Sequence, residues 1–113
     1  MNYMLLIYHD EMAFAGMTED ERQALYSEYR QLREELSKSG RFLAGSQLTP
    51  ATTASSVRVR DGKQMVTDGP FAETKEQLGG YFLIEAKDVA EANDIAARIP
   101  SARLGTIEVR ALA

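Results

Sequence analysis

The chain contains no cysteine and no tryptophan, only one histidine and three prolines, and its longest apolar run is six residues. Without cysteine there are no disulfides, no thiolate nucleophile and no sulfur-ligated metal. A single histidine excludes a multi-histidine zinc site within one chain. A bilayer-crossing helix needs about 20 consecutive apolar residues, and no segment approaches that. The opening residues lack the basic leader and cleavage site of a signal peptide, so a cytoplasmic protein with no membrane association is the expectation. An excess of positive charge is also missing. Thirteen Lys+Arg against seventeen Asp+Glu leave a net charge of −4. Nucleic-acid affinity comes mostly from neutralising phosphates, so this balance argues against such a partner.

What is present is one ordinary domain, residues 1–113, with 44% hydrophobic and 27% charged residues. Those proportions are globular rather than disordered. Tyr3-Met4-Leu5-Leu6-Ile7-Tyr8 suits a strand, which His9-Asp10-Glu11 ends, and a loop through Gly16 follows. Thr18 and Glu21 form a capping box. Leu25, Tyr29, Leu32 and Leu36 then repeat at 4-3-4 spacing, and Gly40 suits the position after a helix, so the spacing predicts a helix over 19–39. Residues 41–48 read as a second strand. Val57-Arg58-Val59-Arg60 and Lys63-Gln64-Met65-Val66 flank Asp61-Gly62, the dipeptide of a two-residue hairpin turn. With that turn Val57 faces Val66, Val59 faces Gln64, and Arg58, Arg60 and Lys63 make the other side basic. Gly79-Gly80 leads into a third apolar strand, Tyr81-Phe82-Leu83-Ile84. Asp88 opens a helix with Ala92, Ile95, Ala96 and Ile99 on its apolar stripe, and Pro100 ends it. Residues 106–112 alternate as a last strand.

This order predicts an α+β domain, a ferredoxin-like βαββαβ unit with an inserted β-hairpin. A parallel α/β sheet fits less well, because no helix separates the second and third strands. Both helices of such a unit cover one face of the sheet, and the other face should be polar in a monomer. Instead Met4, Leu6 and Tyr8 oppose Tyr3, Leu5 and Ile7 across the first strand, and Tyr81 and Leu83 oppose Phe82 and Ile84 across the third. Each such side chain is worth roughly 1.5–3 kcal/mol when buried, so an exposed face would be a sticky patch. A homodimer packed sheet to sheet, a dimeric α/β barrel, is expected. The valine side of the hairpin is the other available cover.

In this topology four features fall at one end of the sheet: His9-Asp10-Glu11, the start of the first long helix, residues 68–80, and residues 100–105. His9 is the natural general base or acid, with Asp68 able to fix its tautomer; equally, His9 simply ends a strand. Asp68-Gly69-Pro70-Phe71 serves as a turn on local grounds. Tyr29 belongs to the core stripe, or offers a phenolic donor to a cavity. Asp10, Lys75 and Arg103 are candidate ligand-binding groups at the same end. Asp10, Glu11, Glu73 and Glu76 have no metal-specific spacing. Gly79-Gly80 is no nucleotide fingerprint, because no helix follows it. Neither a metal nor a cofactor is expected.

The stretch Asp68-Gly69-Pro70-Phe71-Ala72-Glu73-Thr74-Lys75-Glu76-Gln77-Leu78-Gly79-Gly80-Tyr81 resembles the family named after its Asp-Gly-Pro-Phe motif, a branch of the YCII-related proteins. Tyr3 to Tyr8, Val57 to Gly62, Ala97 to Pro100 and Glu108 to Arg110 are similar too. The resemblance implies a bacterial dimeric α/β barrel and, through gene neighbourhood, a link to extracytoplasmic-function sigma factors. For the wider group it implies a His–Asp pair in a cavity near the dimer interface, with the histidine on the first helix. Here that place reads Tyr26-Ser27-Glu28-Tyr29. Asp68 is the carboxylate that carries over, and Tyr29 stands near the missing imidazole. Two functions follow as expectations. One is a small-molecule cavity running cofactor-independent proton-transfer or lyase chemistry through His9, Asp68 and Tyr29. The other is a non-catalytic accessory or sigma-factor-associated module docking through the basic hairpin face.

Overall fold

A computed structural model describes residues 1–113, a mixed α+β fold. Six strands are present: β1 (Asn2–His9), β2 (Phe42–Gln47), β3 (Ser55–Arg60), β4 (Lys63–Asp68), β5 (Gln77–Glu85) and β6 (Thr106–Ala111). Three α-helices accompany them: α1 (Glu11–Ala15), α2 (Glu19–Lys38) and α3 (Val89–Arg98). Four strands make one antiparallel sheet in the order β2-β5-β1-β6, and β3 with β4 makes a separate two-stranded sheet.

Local signals set α2. The Thr18 hydroxyl accepts from the Glu21 amide at 3.1 Å, and the Glu21 carboxylate accepts from the Thr18 amide at 2.9 Å. Leu25, Leu32 and Leu36 are its buried residues. Gly40, at φ 74°, lets the chain turn back so that the Gly40 amide donates to Ser37 at 3.1 Å and the Arg41 amide to Leu36 at 2.8 Å. That pair of bonds is the Schellman ending, which a residue with a Cβ would strain.

One face of the large sheet carries the core. Tyr3, Leu5 and Ile7 from β1 and Phe82 and Ile84 from β5 pack with Leu32 and Leu36 of α2 and Ala92, Ile95, Ala96 and Ile99 around α3. The opposite face presents Met4, Leu6, Tyr8, Tyr81 and Leu83, all half-buried within the single chain. The two-faced alternation expected of these strands is therefore present.

The hairpin has the expected register, Val57 opposite Val66 and Val59 opposite Gln64. Asp61 (φ 51°) and Gly62 (φ 75°) supply the two positive φ angles of its turn. Val57, Val59, Met65 and Val66 are each more than half exposed, so the valine side does not cover the open face of its own sheet.

Two elements differ from expectation. The stretch after His9 is not plain loop, because the Asp10 carboxylate accepts from the Met12 amide at 3.0 Å and the Ala13 amide at 3.5 Å and starts α1. The third strand of the sheet begins at Gln77 rather than Tyr81. Ile7 pairs with Gly80 and Tyr8 with Leu78, so Gly79 is the extra residue of a bulge. Bulges commonly re-aim side chains beside functional sites.

Candidate functional site

The bulge seats the only histidine. His9 ends β1 on the helix-covered side, and its ring lies directly over Gly79. A Cβ at Gly79 would sit 2.3 Å from the imidazole Cε1, so only glycine leaves room for the ring there. From the other side α1 brings Phe14 into a stack on His9, with centroids 5.2 Å apart and planes inclined by 26°. Phe14 in turn meets Tyr26 of α2 edge-on at 6.4 Å. The short helix that the sequence did not announce thus supplies the wall that holds the imidazole.

Between α2 and the sheet lies a cavity of about 510 Å³. Ile7, Leu25, Phe14 and Phe82 give it an apolar lining, and His9 and Tyr29 both face it. Ser46, Gln47, Gly79 and Gly80 form the sheet-side wall, and Arg30 and Arg33 of α2 complete it. No aspartate or glutamate lines it.

Tyr29 is held at this cavity by its hydroxyl, 2.6 Å from that of the buried Ser101. Burial pushes the phenol above its ordinary value of 10.0, against the opposing pulls of the Ser101 hydrogen bonds and the Arg103 charge. Tyr29 is therefore a neutral hydroxyl at physiological pH, able to donate or accept a hydrogen bond but not to serve as a resident base.

The structure brings His9 and Tyr29 to one cavity and puts the other sequence candidates elsewhere. Asp10 caps α1. Arg103 binds Glu28 of α2 at 2.6 Å and does not line the cavity. Lys75 lies exposed in the segment leading to β5. Asp68 ends β4 in the hairpin sheet, opposite Ser55, and does not line the cavity of its own chain. Glu11 accepts from the Ala51 amide at 2.8 Å and Glu76 from the Thr106 hydroxyl at 2.9 Å, so these acids serve local structure. No three His, Asp or Glu side chains gather closely enough to hold a metal ion.

Sequence reasoning missed Arg30, Arg33, Tyr26, Phe14 and Ser101. The signal for the first three was the face of α2 adjoining the Leu25–Tyr29 stripe, where two cations stand one turn apart beside aromatic residues.

Comparison with known proteins agrees with this architecture. The model of the YCII-related domain matches residues 1–113. An uncharacterized protein of Rhizobium meliloti (strain 1021) is 35% identical over 115 residues, covering 100% of this chain and 93% of that one. Among solved structures, the 5-chloro-2-hydroxyhydroquinone dehydrochlorinase of Burkholderia phenoliruptrix AC1100, in complex with 2,5-dihydroxybenzoquinone, superposes with a TM-score of 0.59. It is 14% identical, with 100% of this chain and 94% of that chain covered, a likeness of fold.

Proposed function

From a chain that belongs to the YCII-related domain family, we propose a small cytoplasmic protein, of the Asp-Gly-Pro-Phe branch, whose cavity binds a ring-sized molecule. Within it His9 carries out cofactor-independent proton transfer, of the kind that starts an elimination or an isomerisation. The observation that carries this reading is the seating of the only imidazole. It is fixed between Gly79 and Phe14 and opens on an apolar cavity next to a neutral phenol. An imidazole held in this way is placed to act as a general base towards a molecule in the cavity. Tyr29 would hydrogen-bond the oxygen on which charge develops. A dehydrochlorinase of the same fold type lends analogy to a lyase reaction and no more.

The same reading makes the protein a homodimer. The strand order β2-β5-β1-β6 with helices on one face supports a ferredoxin-like protomer, and the open apolar face supports a partner sheet, closing a dimeric α/β barrel. The radius of gyration, 15.9 Å, exceeds the roughly 13 Å of a compact chain of this length. The projecting hairpin is then an arm laid on a second copy, and Asp68 at its base joins the reading as a residue delivered to the partner. A second reading draws on the exposed hairpin alone. Arg58, Arg60 and Lys63 would dock a protein partner, a sigma factor by family resemblance, with no chemistry in the cavity.

The experiment is binding and turnover with one scaffold. 2,5-Dihydroxybenzoquinone is titrated against the protein while the His9 ring resonance is followed, and chloride release from 5-chloro-2-hydroxyhydroquinone is measured across pH. The enzymatic reading expects a His9 shift and a rate that collapses in His9→Ala with the fold intact. Turnover surviving that substitution overturns the role of the histidine.

A further inference from the structure

The cavity wall has a sign opposite to that of the chain. Seventeen acidic side chains outnumber thirteen basic ones, yet the wall contains two arginines and no acid. Other arginines of the helical layer are neutralised: Arg22 holds Glu19 at 3.2 Å, Arg103 holds Glu28 at 2.6 Å, and Arg98 holds Glu35. Arg30 and Arg33 have no carboxylate within 4.0 Å. They stand one turn apart on α2, so they project from the same side of the helix. Arg33 is further steadied over the Phe42 ring, 5.2 Å from its centroid. A guanidinium held against an aromatic face loses less freedom when it captures a ligand. Both arginines also line a shallower cleft running along α2 towards Lys38, where Glu34 is the one acid.

From this we infer that Arg30 and Arg33 hold the carboxylate of a small ring-bearing acid whose ring lies in the apolar part of the cavity towards His9. The inference rests on the cavity being a ligand site, and it names the substrate class. Each guanidinium offers a planar fork of donors that matches the two oxygens of a carboxylate. The apolar lining from Ile7, Leu25, Phe14 and Phe82 matches a ring. A cavity of about 510 Å³ is ample for a substituted monocycle. Free inorganic phosphate would satisfy the arginines and waste the apolar wall, so it is the weaker fit.

The test uses benzoate, benzamide and inorganic phosphate, followed by the single histidine resonance and by calorimetry. Benzoate and benzamide share a shape and differ in charge. Benzoate should bind at least tenfold more tightly, a difference of about 1.4 kcal/mol. That margin should disappear in the Arg30→Gln, Arg33→Gln double variant, with benzoate falling to the affinity of benzamide while circular dichroism shows the fold retained. Arg30→Lys with Arg33→Lys should restore part of it, because charge without the fork remains. Raising the ionic strength should weaken benzoate and not benzamide. Equal binding of the two with a shifted His9 signal overturns the carboxylate assignment and leaves the cavity reading standing. Phosphate binding as tightly as benzoate overturns the ring-bearing class. No shift with any of the three overturns both the assignment and the cavity reading.

Discussion

Replacing Gly79 by alanine should dislodge His9 while costing little stability. The added Cβ would lie 2.3 Å from Cε1, 2.9 Å from Nδ1 and 3.0 Å from Nε2 of the imidazole. Ordinary contact begins near 3.4 Å, so the shortfall is 3.4 − 2.3 = 1.1 Å. The obstructing atoms belong to a side chain that can rotate, and Gly79 has no positive φ to strain an alanine. Overpacking costs about 1–3 kcal/mol, and stiffening the unfolded chain returns about 0.4–1 kcal/mol. The net loss is about 1 kcal/mol, a fall in Tm of about 4–5 °C for a chain of this size. Two neighbouring glycines provide the contrast. A Cβ at Gly80 meets the Ser46 carbonyl oxygen at 2.9 Å, and one at Gly105 meets that of Tyr8 at 2.1 Å. Backbone in a sheet cannot rotate aside, so Gly105→Ala should cost about 3 kcal/mol or more, with Gly80→Ala between the two. Thermal melts at equal protein concentration give the ranking. The single histidine gives the second readout, since its ring is stacked on Phe14 and its proton shifts report that stacking. In Gly79→Ala that resonance should move towards the position of a free imidazole, and the affinity of the cavity should fall. An unmoved resonance, or a Gly79→Ala variant less stable than Gly105→Ala, refutes the account of how His9 is held.

Two further outcomes follow from the same structure. Tyr29→Phe removes the bond to Ser101 and should cost about 1 kcal/mol near neutral pH. Because burial raises the Tyr29 pKa in the folded state, its contribution is full below the unfolded value of 10.0 and is lost as pH climbs through the higher folded value. The stability difference between wild type and Tyr29→Phe should therefore shrink above pH 10, and a difference constant from pH 8 to 11 would contradict the burial argument. Leu83 lies on the open face beside Met4 and Ala44, with no charged residue as a direct cross-strand partner. If the proposed barrel forms, wild type should sediment as a dimer and Leu83→Glu as a folded monomer. A wild-type particle of 12.6 kDa would remove the barrel from consideration.

How much of this was legible in the sequence depends on whether a feature is made by neighbours in the chain or by distant segments. The helix α2 was legible because its signals are local: Thr18 with Glu21, the Leu25–Leu36 stripe, and Gly40. The hairpin was legible because Asp61-Gly62 fixes both turn and register. The helix α1 was not, since a five-residue helix has no room for a periodic stripe, and its cap, Asp10, also serves to end a strand. Gly79 and Gly80 read only as the lead into a strand that starts at Tyr81, because the reason for them lies elsewhere, in the His9 ring and the Ser46 carbonyl. The candidate site divides along the same line. Strand direction was enough to gather His9, Gly79, Gly80 and residues around Ser101 at one end of the sheet. It could not separate the acids there into helix caps, loop braces and the hairpin terminus, because those roles follow from individual hydrogen bonds. Arg30 and Arg33 escaped for a related reason. On a lone helix they are two solvated cations among many charges. Only when β2 and β5 are laid beside α2 do they become the charged wall of a cavity with no acid of its own. Both guanidinium groups are exposed at the cavity mouth and free of carboxylates, so they are open to an anion whose ring enters the apolar lining. For that reason the proposed cavity ligand of this protein should be sought among ring-bearing acids before neutral compounds.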